Sequence, residues 1–224
     1  VSCLKSCEPY LEDRDKCLLG AHCGWRILDG IEIRGQGLVD DVAASKISNG
    51  YWGNKFALQM GAMWASPFGL EDIDIAFEHT RVESYTYSHF NSQNTFATSG
   101  QILGSSIGPN AMSFWGHIRW AASEKLSLEA NFTLLERGEN TYDSSGKLLY
   151  NAGADFEQTI RPEDGAISYS ILNGRRVNAI TIDATIGYEL WRGLLLYARG
   201  YAKSVSYIAG TPHDPQENPY GFFG

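Results

Sequence analysis

The sequence predicts an all-β fold: an antiparallel transmembrane β-barrel, with about seven strands present as an arc of a larger barrel. Three observations predict it. Apolar residues recur at period two, tight turns alternate with long loops, and an aromatic residue flanks each tight turn.

Taken in order, the first strand is a weak alternation from about Arg26 to Val39. The second, Lys55 to Trp64, sets Phe56, Leu58, Met60, Ala62 and Trp64 against Lys55, Ala57, Gln59 and Gly61. The third runs from Asp72 to Arg81 and the fourth from Ser113 to Ala121. The fifth is the cleanest, with Leu126, Leu128, Ala130, Phe132 and Leu134 opposed to Ser127, Glu129, Asn131 and Thr133. The sixth, Asn178 to Glu189, repeats that design with Ile180, Ile182, Ala184, Ile186 and Tyr188 on its apolar side. The seventh covers Leu195 to Tyr207.

Hairpin-sized connections follow strands two, four and six: Ser66 to Leu70, Ala122 to Lys125, and Trp191 to Gly193. The others, Asp40–Asn54, Val82–Met112 and Glu136–Arg176, are long, which is the asymmetry of an outer-membrane barrel with periplasmic turns and extracellular loops. Trp64 with Phe68, Trp120, and Tyr188 with Trp191 stand at the tight turns, where an interfacial girdle would lie. A soluble antiparallel sheet also has one apolar face but does not require that placement. An odd strand number leaves an open edge, so either an eighth strand lies within the first 24 residues or these strands belong to a larger barrel.

Composition narrows the partners. Of 224 residues, 18 are Lys or Arg and 26 Asp or Glu, and the resulting net charge of -8 excludes a nucleic-acid backbone as a partner. No apolar run is long enough for a membrane helix. All four cysteines, Cys3, Cys7, Cys17 and Cys23, fall in an N-terminal segment, 1–24, of no assigned fold; the barrel region is 25–224. They could close small loops in any of three connectivities, and their spacing with His22 makes a poor zinc set. No cofactor or metal is expected.

Glu78, Arg81, His117, Arg119, Glu129 and Asp183 are read as lining the lumen, where opposite charges on neighbouring strands pair. Glu78 with Glu129 as a glycosidase pair is the weaker reading, because any such barrel turns polar residues inward. Ser88 with His89, or Ser113 with His117, has a hydrolase's residue types without a nucleophile elbow. Asp143-Ser144-Ser145-Gly146 reads as a turn. The long loops interleave rings with amides. Trp52, Tyr85, Tyr87, His89, Phe90 and Asn110 are therefore candidate carbohydrate-binding residues, with loop self-packing as the competing explanation.

The stretch Glu78-His79-Thr80-Arg81-Val82-Glu83-Ser84-Tyr85-Thr86-Tyr87-Ser88-His89, followed by Leu103-Gly104-Ser105-Ser106-Ile107-Gly108-Pro109-Asn110, resembles the Wzi family of capsule assembly proteins. Leu38-Val39-Asp40-Asp41 and Asn54 to Gly61 add to it, and the resemblance covers about residues 30 to 205. The chain departs at Ser105, where relatives often carry His, and in its first 24 residues. The resemblance implies a bacterial outer-membrane barrel that binds exported polysaccharide and helps attach or assemble capsule at the cell surface, with no enzymatic step. Its partners would be capsular or other surface polysaccharide and outer-membrane lipid. A diffusion channel or transporter, with the inward charges as its lining, is the alternative expectation.

Overall fold

The computed structural model describes residues 18–41, 51–161 and 170–208. Eight antiparallel strands form one sheet in the order β1-β2-β3-β4-β7-β8-β11-β12, in which every neighbour is also the next long strand along the chain. They are β1 (Leu19–Leu28), β2 (Ile31–Asp41), β3 (Lys55–Ala65), β4 (Ile73–Val82), β7 (Ala111–Ala121), β8 (Leu126–Glu139), β11 (Arg175–Trp191) and β12 (Leu194–Tyr207). Two small ribbons, β5 (Ala97–Thr98) with β6 (Gln101–Ile102), and β9 (Thr141–Tyr142) with β10 (Leu148–Tyr150), sit in the long connections.

The predicted first strand is two strands. Asp29-Gly30, with Gly30 at φ 80°, turns the chain so that Trp25 pairs with Ile33 and Leu19 with Val39. β1 therefore crosses the boundary placed at residue 24 and supplies an eighth strand. Cys23 lies on it as an exposed free thiol, while Cys3, Cys7 and Cys17 fall outside the described residues. The hairpin also adds a fourth tight turn to those at 66–72, 122–125 and 192–193, all at one end of the sheet. Each is fixed locally. Ser66, Phe68 and Asp72 take positive φ in the second turn, and Ser123 Oγ accepts from the amides of Lys125 and Leu126 in the third.

Exposure along the strands is the reverse of a water-facing sheet. On β11, Ile180, Ile182, Ile186 and Tyr188 are 41–50% exposed, whereas Thr181, Asp183, Thr185 and Glu189 between them are partly covered. Register carries the apolar side across the sheet: Ile182 pairs with Phe132, Phe132 with Gly116, and Gly116 with Phe77. Among the described residues no α-helix and no second sheet covers that face. The covered residues cluster instead at the long-loop end, where Val82, Tyr85, Tyr87, Ala111 and Ala152 are buried. β1 and β12 do not pair, so the sheet is open, and each of these edge strands is exposed along nearly its whole length.

Candidate functional site

The polar face carries its functional groups in cross-strand rows, because directly opposed residues in an antiparallel ladder project to the same side. One row runs Glu32, Met63, Ala76, His117, Asn131, Asp183, Tyr201. The row on its loop side runs Arg34, Gly61, Glu78, Trp115, Thr133, Thr181, Lys203, and the row on its turn side includes Asp74, Arg119, Glu129, Thr185 and Arg199. Opposite charges meet between adjacent rows. Arg34 Nε donates to Glu32 at 2.6 Å, and Arg199 Nε to Asp183 at 2.6 Å. His117 Nδ1 is 3.0 Å from Asn131 Oδ1 and 3.9 Å from Glu129. Gln36 donates to Gln59, which in turn donates to Glu78, so a chain of amides ends on a carboxylate.

Two adjoining hollows open on this face. One of about 510 Å³ is bounded by His22, Glu32, Arg34, Glu78, Trp115 and His117, and one of about 440 Å³ lies loopward between Gln36, Gln59, Thr80, Tyr87 and Ser105. Both have the size of a small-molecule subsite. Their rim is built by the connection after β4, which folds back so that Ser105 and Ser106 wall the loopward hollow.

A buried knot holds that connection in place. Tyr85 and Tyr87, 0% and 1% exposed, take φ of 61° and 76°, a backbone region that disfavours branched and bulky residues. The strain is offset by dense tethering. Tyr85 donates through its amide to Gly153 O at 2.8 Å and through its hydroxyl to Asn151 O at 3.0 Å. Tyr87 donates through its amide to Asp40 Oδ2 at 2.8 Å, and its hydroxyl accepts from Ser105 N at 3.0 Å. Each ring lies on a glycine. A Cβ on Gly104 would enter the Tyr87 ring and one on Gly153 the Tyr85 ring, so Gly104 is required by close approach rather than by its backbone angles. Burial pushes the Tyr87 phenol above its ordinary range, against the lowering by the Ser105 amide, and Asp40 adds to the rise.

Asn110, 0% exposed, is the second hub. Its Oδ1 accepts from Leu172 N at 2.7 Å and Ser84 Oγ at 3.1 Å, while its Nδ2 donates to Gly138 O at 2.8 Å and Asn173 O at 2.9 Å. Both lone pairs and both protons are used. Gly108, at φ 74°, and the buried Pro109 bring it there.

The predicted site residues thus separate. Glu78, His117, Arg119, Glu129 and Asp183 share the polar face, but Arg81 does not. It pairs with Leu58 and Met112 on the apolar side and binds Glu83 at 2.5 Å, because residues three apart on a strand point to opposite faces. Glu78 and Glu129 stand two strands and four register positions apart, roughly 16 Å along the sheet, beyond the spacing of a glycosidase pair. Tyr85 and Asn110 are internal packing groups and line neither hollow, while Tyr87, though 1% exposed, backs the wall of the loopward one. Trp52 packs edge-on against Tyr85 and lies 5.8 Å from Lys55 Nζ. His89 is half-buried and, with its ring 4.3 Å from the 62%-exposed Phe90, forms the outer part of the loop. Ser88 Oγ donates to Tyr85 O at 2.6 Å, turned away from hydrolase geometry. Gln36 and Trp115 join the polar face unannounced, although their place in the alternation would have found them, and Gln59 lies there as its alternation on the second predicted strand requires. No cluster of three or more His, Cys, Asp or Glu among the described residues is placed to hold a metal ion. Compared with known proteins, the chain matches no family model and no curated protein.

Proposed function

We propose that this chain is part of an outer-membrane β-barrel that binds exported polysaccharide and helps attach or assemble capsule at the cell surface. The observation that carries the membrane reading is the exposed apolar face. Among the described residues its isoleucines and aromatics have no covering layer, and a contiguous apolar surface of that extent marks contact with lipid or partner. Along β8 the apolar residues Leu126 to Leu134 span on the order of 20 Å of membrane normal at ordinary barrel tilt, close to a hydrocarbon layer. Trp25, Phe68, Trp120, Tyr188 and Trp191 stand exposed toward the tight-turn end, while Arg81, Glu136 and Arg176 bound the band at the other.

The polysaccharide reading rests on the Wzi resemblance, whose residues from Glu83 to Asn110 assemble in the one knot that rims the polar face. It also rests on the amide-rich hollows, whose donors and acceptors suit hydroxyls. With Tyr85, Tyr87 and Asn110 committed to packing, the binding surface comprises those hollows and the outer ring pair His89 and Phe90. The proposed role is non-catalytic. Reconstitution into lipid vesicles tests the first half: Trp25, Trp64 and Trp120 fluorescence quenched by lipids labelled near the headgroup supports it, and a stable detergent-free monomer refutes it. Capture of capsular polysaccharide by the inserted protein, weakened by Phe90→Ala, tests the second. The charged rows also suit a diffusion channel, for which solute conductance without polysaccharide binding would decide.

A further inference from the structure

The polar side of β12 differs from the rest of that face. Its odd positions are Leu195, Tyr197, Arg199, Tyr201, Lys203, Val205 and Tyr207, while the even positions on the apolar side are Leu196, Ala198, Gly200, Ala202, Ser204 and Ser206. Three phenol rings and two cations therefore line one side of a single strand, with no carboxylate on that strand, in a chain whose net charge is -8. Tyr197 lies across Gly187, where a Cβ would come within 2.9 Å of the ring, which fixes it on the polar side. Tyr197 and Tyr201 are 68% and 64% exposed, and neither hydroxyl has a partner among the described residues. Arg199 gives its Nε to Asp183 and leaves the rest of its guanidinium exposed, while Lys203 faces Thr181 and has no ion-pair partner among the described residues. At the loop end Arg175 stacks on the Tyr207 ring at 4.8 Å, repeating the pairing of ring and cation.

We propose that this stripe is a track for an anionic polysaccharide, a glycan bearing uronate or similar carboxylate groups. Tyr197 and Tyr201 stack on sugar faces, and Arg199 and Lys203 meet the charges between them. The inference rests on the polysaccharide reading above and adds to it the charge class of the glycan and its path. Tyr197 and Tyr201, four apart on one face, are about 13 Å apart along the strand, a spacing that lets both rings meet one extended glycan. Bare phenol faces suit the apolar side of a pyranose, and the Lys203 ammonium, with the exposed remainder of the Arg199 guanidinium, selects its acidic form.

The test is equilibrium binding of polygalacturonate and of neutral dextran by the full chain folded in detergent micelles, with circular dichroism confirming the sheet in each variant. The expected result is preference for polygalacturonate, with affinity reduced about three- to tenfold by Tyr201→Ala and restored by Tyr201→Phe. Lys203→Gln should weaken it about threefold at low salt and flatten its salt dependence. Binding of polygalacturonate that is indifferent to these changes but lost in Phe90→Ala moves the site to the loop and overturns the track, leaving the polysaccharide reading intact. Equal or tighter binding of dextran overturns the charge selection. Failure to bind these polymers and capsular polysaccharide alike overturns both the track and the reading beneath it.

Discussion

Replacing Asn110 by Ala strands four groups at once: the Leu172 amide, the Ser84 hydroxyl and the carbonyls of Gly138 and Asn173. The hydroxyl can rotate to another acceptor, but the amide and the two carbonyls are fixed by the backbone. At about 1–2 kcal/mol for each, the loss is about 4 kcal/mol, and it falls on the loop junction rather than on the strand ladder. That corresponds to about a thousandfold faster exchange of the Leu172 amide if it exchanges by local opening. Native-state hydrogen exchange on peptides spanning 170–176 reads it directly, and circular dichroism should show the eight-stranded sheet intact. Asn110→Asp should be worse than Ala, because it sets a carboxylate oxygen against two carbonyl oxygens. The folded-state pKa of that Asp would be raised, so the variant is most stable at low pH and loses stability as pH rises through that value. Exchange at Leu172 within tenfold of the parent in the Ala variant would refute the assignment of Asn110 as the hub.

Three further outcomes are expected. Ile182→Lys should cost about 2–4 kcal/mol in vesicle insertion if its face meets acyl chains, while Thr181→Lys, one residue away on the polar face, should insert normally; equal behaviour of the two in a folding assay would sink the lipid assignment. Gly138→Ala should prevent the loop after β10 from docking, because the new methyl meets the backbone oxygen of Asn173, and proteolysis between residues 140 and 174 should accelerate. The buried Tyr87 phenol has a raised pKa, so its contribution to stability is complete below the ordinary tyrosine range and is lost as pH rises through the raised value. Ultraviolet titration should show a late tyrosinate phase that Tyr87→Phe removes.

Six of the predicted strands, from Lys55 to Tyr207, coincide with observed ones to within a few residues, since period two is a property of the pleat itself. An eighth strand within the first 24 residues is one of the two expectations that the odd count raises, and β1 supplies it; its bounds are hidden because glycines at 20 and 24 interrupt the alternation of Leu19, Ala21, Cys23 and Trp25, although Asp29-Gly30 announces the hairpin. Arg81 was misplaced by an odd interval from Glu78, which the same periodicity could have corrected. The loop tyrosines are a different case. Nothing local distinguishes Tyr85 and Tyr87, which are buried, from Tyr197 and Tyr201, which are exposed. Their fates depend on Gly104, Gly153 and the chain segments that reach them.

By itself the sequence determined where the strands run, which of their sides is apolar and which end carries the short turns, because adjacent residues in an extended chain must point to opposite sides. Only the tertiary structure decided which loop residues are packing and which are surface. Asn110 meets Leu172 across 62 positions and Tyr85 meets Asn151 across 66, contacts that no neighbourhood of either residue encodes. The tertiary structure also showed that no other described element covers the apolar side, since coverage depends on what the rest of the chain brings to that face.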